Sequence, residues 1–261
     1  MYIIDIHTHI YPEDIAMKAT DSVREFYQIY GGTMDGTEKL LMERGTAAGI
    51  SKFLILPVAI RADRVQGIND FIVQRLAHND ALIGFGTVHA GMTGIADEAR
   101  RIQSLGLRGI KMHPDSQRFA IDDLRLFPMY EEIQGKLPLM LHMGDSRYDY
   151  SHPLKLQRIL SLFPGLQVIA AHFGGYSMYE AAYDFLKDTN CIFDISSSMM
   201  FMPEGVAEHY INRYGAERMA FGSDYPLWDP VQEMQRFLQL KLTPEQKEQI
   251  AHKTAERFLK L

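Results

Sequence analysis

The sequence predicts a single (β/α)₈ barrel, and two patterns support this fold class. Short apolar runs rich in β-branched residues recur eight times, and segments with helical periodicity separate them. Several runs, such as 53–58, are continuously apolar, which is typical of parallel strands covered on their outer face. Eight alternating units with right-handed crossovers close into a barrel, and the 261 residues of the chain are an ordinary length for one.

The elements follow one another in a regular β-then-α order. The predicted strands are 2–6, 53–58, 82–88, 109–112, 137–141, 167–171, 191–195 and 219–222. The predicted helices include 38–48, 68–77, 95–105, 124–133, 154–162 and 178–186. Segment 11–36 is long for a barrel loop, so we expect it to cap the site with a short helix within 15–30. We expect a last helix at 244–261, which Thr243 can cap, to pack outside the barrel.

The chain shows no internal boundary. No Pro/Gly/Ser-rich linker, charge block or low-complexity tract divides it, so we expect one domain over residues 1–261. The alternative fold is a doubly wound open sheet, which usually has fewer strands and would scatter its polar strand ends along one crevice. The alternation of eight units favours the barrel.

Composition limits the partners and the compartment. The chain has 27 basic and 33 acidic residues, a net charge of −6, and no basic cluster of the kind that nucleic acids require. It has no apolar run of the roughly 18 residues that a membrane span needs, and its first residues do not resemble a signal peptide. Cys191 is the only cysteine and lies in an apolar run, which fits a reducing compartment. We expect a cytoplasmic protein that acts on a small molecule, and a homo-oligomer is possible.

Polar residues that bind metals fall at the carboxyl ends of the predicted strands, where barrel active sites lie. His7 and His9 follow the first strand two residues apart, so their side chains point to the same side. His142 ends the fifth strand, His172 the sixth and Asp224 the eighth. Three imidazoles and a carboxylate suit Zn²⁺ or a similar divalent ion with one position open for water or substrate. A lone histidine at a strand end is more often a satisfied polar residue, but the coincidence of all five predicts a metal site.

Four further residues leave alternatives open. Lys111 and His113 end the fourth strand two residues apart. We expect Lys111, as an ammonium, either to anchor a substrate carboxylate or to pair with an interior acid. We expect His113 to lie beside the site. Arg61, after the second strand, can hold an anionic substrate, although an exposed loop arginine is more often solvated. Trp228 either walls the pocket near Asp224 or packs in the core.

These motifs resemble those of the amidohydrolase superfamily, in the branch that includes small hydrolases and the aminocarboxymuconate-semialdehyde and resorcylate decarboxylases. The resemblance covers nearly the whole chain and rests on Asp-Ile-His-Thr-His at 5–9, Gly-Ile-Lys-Met-His-Pro at 109–114, Leu-His-Met-Gly-Asp at 141–145, Ala-His-Phe-Gly-Gly at 171–175 and Gly-Ser-Asp-Tyr-Pro at 222–226.

The resemblance implies one metal bound by His7, His9, His142 and Asp224, with His172 near the open position as a catalytic acid or base. In binuclear members of the superfamily a carboxylated lysine, here Lys111, bridges two metals, with the second ion bound by His142 and His172. The mononuclear arrangement is favoured, with Zn²⁺ the expected ion and Mn²⁺ an alternative.

Three functions follow as hypotheses. The leading one is hydrolysis of a small ester, lactone or amide, in which the metal activates a water, Asp224 takes its proton and His172 hydrogen-bonds the attacking water or the developing oxyanion. The alternative is non-oxidative decarboxylation of an aromatic or unsaturated carboxylic acid on the same site, with Lys111 and Arg61 as anchors for the carboxylate. The third is a binding or regulatory barrel without catalysis, which no feature of the sequence supports.

Overall fold

A computed structural model describes residues 2–261. Two compact units are distinguished within it: a discontinuous one formed by residues up to Leu56 together with Ile195–Leu261, and a continuous one formed by Pro57–Asp194. The expectation of one domain over the whole chain stays a prediction.

The strands are short, parallel where they pair within a unit, and close to the predicted positions. In the described residues they are β1 Ile4–Thr8, β2 Lys52–Ile55, β3 Leu82–Gly84, β4 Gly86–Thr87, β5 Ile110–Met112, β6 Leu139–Leu141, β7 Val168–Ala170, β8 Ile192–Asp194 and β9 Met219–Ala220. The predicted third strand is interrupted at Phe85 and gives β3 and β4. The first strand extends two residues further than predicted, so His7 lies inside β1 rather than after it.

In the discontinuous unit, the first strand lies between the second and the last. β1 pairs with β2 in parallel, with Ile4 opposite Lys52. On its other side the N–H of Ile6 donates to the carbonyl of Phe221, directly after β9, at 2.9 Å. A first strand flanked by the second and the last is the neighbour order of a closed barrel, whereas the last strand of a doubly wound sheet usually lies at an edge.

In the continuous unit, strands β4 to β8 pair in sequence order and all in parallel. Their side chains are buried, which explains the continuously apolar runs seen in the sequence. Cys191, just before β8, is buried, as is typical of a cysteine in an apolar run.

The predicted helices are present with small shifts at their ends. The longer ones are α1 Ala16–Tyr27, α2 Glu38–Ala47, α3 Val65–Leu76, α4 Ile95–Ser104, α6 Phe127–Ile133, α7 Pro153–Leu162, α8 Tyr179–Leu186, α9 Val206–Tyr214 and α10 Pro230–Gln239, and a single turn, α5 Pro114–Gln117, follows β5. Each amphipathic helix buries one face; in α4 that face is formed by Ile95, Ala99 and Ile102. No helix of residues 2–261 is long and apolar enough to cross a membrane.

The last predicted helix is divided into three parts. α11 Pro244–Glu248 begins with the expected cap, in which the Thr243 hydroxyl accepts from the N–H of Gln246 at 3.2 Å. A π-helical turn, Gln249–Lys253, separates it from α12 Thr254–Leu259. Within this turn the carbonyl of Ile250 accepts from the N–H of Phe221 at 2.8 Å. The π-helical turn therefore leaves a helix carbonyl available to accept a hydrogen bond from the backbone N–H directly after β9.

Candidate metal centre

Two imidazoles on β1 lie side by side because alternate residues of a strand share a face. The rings of His7 and His9 have centroids 5.2 Å apart and planes inclined at 61°. His9 Nδ1 lies 2.5 Å from the carbonyl oxygen of Leu56, and since a carbonyl only accepts, Nδ1 carries the proton. His7 Nδ1 lies 3.1 Å from the hydroxyl of Ser196. Both rings direct Nε2 toward the carboxylate of Asp224.

Asp224 lies where the chain after β9 meets β1. Its N–H donates to the carbonyl of His7 at 2.8 Å, and its φ of 59° is in the left-handed region, which is uncommon outside glycine but which aspartate tolerates better than most residues. Asp224 Oδ1 lies 3.4 Å from His7 Nε2 and 3.3 Å from His9 Nε2. The two imidazoles and the carboxylate, all within the discontinuous unit, are the triad that we name the β1 cluster.

The ring geometry of the β1 cluster suits a shared ion. A metal binds the lone pair of an imidazole nitrogen, which lies in the ring plane, so two imidazoles that share an ion must have planes that meet near it. The planes of His7 and His9 intersect, and the ligand atoms of the triad lie within 4.8 Å of one another. Two nitrogens and one carboxylate oxygen form a donor set that divalent zinc or manganese accepts.

A second triad, in the continuous unit, brings together His113, Asp115 and His142 at similar separations. The imidazoles of His113 and His142 are stacked, with centroids 3.9 Å apart and planes only 7° apart. Because nearly parallel planes do not meet near the rings, these two imidazoles do not chelate one ion in this arrangement. The second triad therefore fits a metal less well than the β1 cluster does.

The two predicted histidines of the continuous unit are in contact with each other. His172 Nε2 lies 3.1 Å from His142 Nδ1, so one of these two nitrogens donates a hydrogen bond to the other. On its other side His172 Nδ1 is 3.9 Å from the carboxylate of Asp194, whose Oδ1 also accepts from the backbone N–H of His172 at 3.3 Å. Asp194, which was not predicted as a site residue, thus binds the backbone of His172 and lies close to its ring; His172 itself follows β7 with φ of 59°.

Asp115 is a buried acid next to His142. Its Oδ2 accepts from the hydroxyl of Ser151 at 2.5 Å and lies 3.8 Å from His142 Nε2. Its Oδ1 is buried and has no hydrogen-bond partner among the described residues. Burial raises the pKa of Asp115 to about 6, against the smaller opposing effect of the Ser151 hydrogen bond.

The predicted substrate anchors lie in different environments. Lys111 is on β5 and completely buried, and His113 follows it, half-buried, at the start of α5. Arg61 is exposed, and its guanidinium forms two hydrogen bonds with Asp63, at 2.9 and 2.8 Å. Substrate binding by Arg61 stays a prediction, and it requires that the guanidinium release Asp63.

Three residues near the β1 cluster were missed or left undecided by the sequence analysis. Ser196 and Ser197 follow β8, and Ser197 donates a short hydrogen bond to Asp224 Oδ2. Their signal in the sequence is a run of three serines directly after an apolar strand. Trp228 is half-buried; its indole N–H donates to Ser197 Oγ at 2.7 Å, and its ring meets that of Phe201 edge-on, with centroids 5.7 Å apart.

The long loop before α2 begins two residues after His9 of the β1 cluster. Burial, and to a smaller extent the charge of Asp224, raise the pKa of Tyr11, so this phenol stays protonated. The loop is held at its other end by the hydroxyl of Tyr225, which donates to the carbonyl of Thr37 at 2.9 Å. The short helix predicted within this segment is present as α1, and the expectation that the segment caps the site stays a prediction.

Strand ends that carry imidazoles and carboxylates on a β/α fold define a class of metal-dependent barrel enzymes. The amidohydrolase family model matches residues 4–261. The chain therefore belongs to the amidohydrolase family, as its motifs indicated, and the prediction that the protein is an enzyme is confirmed. No curated protein matches the sequence significantly.

Solved structures with the same fold cover the whole chain. An uncharacterized TIM-barrel protein from Bordetella bronchiseptica is 22% identical, with a TM-score of 0.83 over 100% of this chain and 99% of that one. The 5-carboxyvanillate decarboxylase of Sphingomonas paucimobilis is 16% identical, with a TM-score of 0.75 over 100% and 99% of the two chains. A dihydroxybenzoic acid decarboxylase from Polaromonas sp. JS666, with bound manganese and the inhibitor 2-nitroresorcinol, is 16% identical, with a TM-score of 0.77 over 100% and 97%. These likenesses confirm the barrel, and the doubly wound alternative is set aside.

Proposed function

We propose that the protein is a metal-dependent decarboxylase of an aromatic carboxylic acid. The observation that carries this proposal is the aromatic wall beside the β1 cluster. Trp228 is joined to Asp224 through Ser197, and Phe201, 54% exposed, packs edge-on against the indole. A flat aromatic ring packs well against such a surface, whereas a small aliphatic lactone gains less from it. Two of the enzymes with the same fold act, by name, on substituted benzoates.

His7, His9 and Asp224 are the proposed metal ligands. The prediction that His142 completes the set stays a prediction, and so does the expectation of Zn²⁺. Mn²⁺ is an equal candidate because the donors accept either ion and the Polaromonas enzyme contains manganese. A bound divalent ion would supply the positive charge that attracts the substrate's oxygen atoms and stabilises negative charge that develops on them.

The residues of the chain then have to move one proton. In decarboxylation the carbon that carries the carboxylate gains a proton, the bond to CO₂ breaks, and its electron pair stays with the ring. Asp224 is the acid–base group nearest the proposed ion, and we assign it this transfer; His172, whose ring lies close to Asp194, is the second candidate. Lys111 and His113 remain the predicted contacts to the carboxylate, and the aromatic wall excludes water from one side of the ring.

Hydrolysis of a small ester, lactone or amide remains the second candidate, because one feature favours it. A decarboxylase needs a cation to hold the substrate carboxylate, and of the two predicted anchors the guanidinium of Arg61 is already engaged by Asp63, which leaves only Lys111 for this role. The same ligands would then serve a water that attacks a carbonyl carbon, with Asp224 accepting its proton.

A product analysis in D₂O separates the two reactions. The Mn²⁺-loaded and Zn²⁺-loaded proteins are incubated with dihydroxybenzoates, 5-carboxyvanillate, a small lactone and an aryl ester. Decarboxylation releases CO₂ and leaves one deuterium on the carbon that carried the carboxylate. Turnover of the lactone or ester alone, with no CO₂ from any acid, contradicts the proposal and favours hydrolysis.

The Asp224→Asn variant tests the assigned proton transfer. It should lose activity by about 10²–10⁴-fold, because the amide neither transfers a proton nor supplies the negative charge of the ligand. Asp188→Asn, which changes an exposed aspartate on the surface, is the matched control and should keep wild-type turnover. Full activity of Asp224→Asn would exclude this residue from the chemistry.

A further inference from the structure

The three serines after β8 each make a different contact. Ser196 Oγ lies 3.1 Å from His7 Nδ1, and Ser197 Oγ donates to Asp224 Oδ2. Ser198 Oγ donates instead to the carbonyl of Ser196 at 2.9 Å. All three are buried, with exposed fractions of 2% or less. Two consecutive residues therefore contact two different members of the β1 cluster, while the third bonds the backbone.

Consecutive residues of an extended chain point to opposite sides, so two neighbours do not ordinarily serve one site. Ser197 escapes this rule because its φ is 50°, in the left-handed region. Such a conformation costs a serine about 1–2 kcal/mol and persists when the surroundings impose it. Here it lets both hydroxyls reach the β1 cluster from the same stretch of chain.

The Ser197 hydroxyl is itself oriented by Trp228. The indole N–H is only a donor, so it occupies a lone pair of Ser197 Oγ at 2.7 Å, and the serine proton is directed to Asp224 Oδ2. With Oδ2 held in this way, Asp224 turns Oδ1 toward Nε2 of both histidines.

We propose that Ser196 and Ser197 are the positioning residues of the metal centre, and that Trp228 acts on it through Ser197. The inference rests on the proposed metal ligands and extends them to groups that do not touch the ion. Ser196 fixes the ring of His7, and Ser197 selects which oxygen Asp224 offers. Groups that orient metal ligands in this manner typically change metal affinity or activity by about 10–100-fold when they are removed.

The experiment measures how tightly each purified variant holds Mn²⁺, by transfer of the ion from the loaded protein to a competing chelator. Ser197→Gly is the main variant, because glycine adopts a φ of 50° without strain and the substitution removes the hydroxyl while keeping the backbone. We expect its dissociation constant for Mn²⁺ to rise by about 10–100-fold with little loss of thermal stability. Ser196→Ala should weaken binding by about 10-fold. The visible absorption of the Co²⁺-loaded protein should also change in both variants, since it reports the arrangement of the ligands.

Ser198→Ala is the matched control, because it removes a buried serine hydroxyl of the same run that contacts no member of the β1 cluster among its described hydrogen bonds. It should hold Mn²⁺ within about twofold of the wild type if the effect is specific to ligand positioning. A Ser198→Ala variant that loses Mn²⁺ as readily as Ser197→Gly would mean that the serine run has only a general structural role, and would overturn the inference.

Trp228→Phe is measured alone and combined with Ser197→Gly. If the indole acts through the serine, the single variant weakens binding and the combination is no weaker than Ser197→Gly. Additive losses would overturn the role of Trp228. A wild type that binds no Mn²⁺, Zn²⁺ or Co²⁺ would overturn the proposed metal ligands themselves, whereas a wild type that binds one while Ser197→Gly binds equally tightly would overturn this inference alone.

Discussion

A single contact at Nδ1 determines which nitrogen each imidazole of the β1 cluster directs toward Asp224. The carbonyl of Leu56 fixes the proton of His9 on Nδ1, which leaves Nε2 as the atom near Asp224. The sequence predicts that His7 and His9 share a side, because the two-residue spacing on a strand dictates it. The nitrogen that each ring uses depends on partners 47 and 189 residues away, and the spacing contains no information about them.

Glu233, on α10, is an acid that burial holds in an unusual state. The residue is completely buried, its Oε1 accepts from Arg236, and its Oε2 has no hydrogen-bond partner among the described residues. Burial raises its pKa to about 7, and the opposing charge of Arg236 is insufficient to restore the usual value. The carboxyls of Asp224 and Asp5 add smaller effects in the same direction as burial.

The raised pKa predicts that folding stability depends on pH through Glu233. Because the folded-state pKa of Glu233 lies above its unfolded value, protonated Glu233 contributes to folding stability. This contribution is fully present below about pH 4.5 and is lost as the pH rises through about 7. Glu233→Gln removes this titration. The free energy of unfolding of the variant minus that of the wild type should therefore increase by about 1–3 kcal/mol between pH 4.5 and 8. Urea unfolding across this range measures it. A constant difference between the two proteins would contradict the prediction, and Glu13→Gln, at an exposed position, is the control.

At the scale of elements, the loop before α2 is exposed at residues 30–33 but tightly packed at Gly36. Gly36 has φ of 80°, and a Cβ atom there would lie 2.4 Å from the Thr20 hydroxyl and 2.8 Å from the ring of Tyr11. The N–H of Tyr11 also donates to the carbonyl of Gly36 at 2.9 Å, so this glycine fixes the loop two residues after His9 of the β1 cluster.

Gly36→Ala should therefore destabilise the protein more than an equivalent substitution in open space. Gly49 has nearly the same φ, 78°, but nothing within 4 Å of its would-be Cβ. Gly49→Ala then measures the backbone strain alone, about 1 kcal/mol, and Gly36→Ala should cost about 1–3 kcal/mol more because Thr20 and Tyr11 must move. Thermal or urea unfolding of the two variants gives the difference. Equal losses of stability in the two variants would show that the side chains around Gly36 move aside without a measurable cost.

The elements themselves were largely predictable, and the exceptions have local causes. Strand and helix positions follow from hydrophobic periodicity, which is a property of neighbouring residues. The π-helical turn before α12 was missed because its cause is distant: the carbonyl of Ile250 bonds the N–H of Phe221. Ser197 was missed for a similar reason, since the left-handed φ that brings its hydroxyl to Asp224 and its indole partner, Trp228, 31 residues away, are not visible in the local sequence.

At the scale of the whole molecule, the number of bound ions distinguishes the arrangements that the motifs allow. The β1 cluster alone predicts one ion per chain, and the alternative with a carboxylated Lys111 predicts two. The sequence prediction makes His142 either the fourth ligand of a single ion or a ligand of the second ion, whereas Asp115 and His172 are its contacts in the continuous unit. Metal analysis of the wild type, of His9→Ala and of His142→Ala therefore tests the sequence prediction directly.

We expect about one equivalent of Zn²⁺ or Mn²⁺ in the wild type and a large loss in His9→Ala, because one nitrogen of the β1 cluster disappears. A matching loss in His142→Ala would support four ligands; an unchanged content would restrict the ion to the β1 cluster.

Binding of the ion also stabilises the fold, by about 2.7 kcal/mol at a free ion concentration of 100 times the dissociation constant. The wild type should accordingly melt at a higher temperature with the ion than with chelator, while His9→Ala should show little difference. His209→Ala, an exposed histidine on α9, should behave as the wild type does, and two equivalents in the wild type would instead favour the lysine-bridged pair.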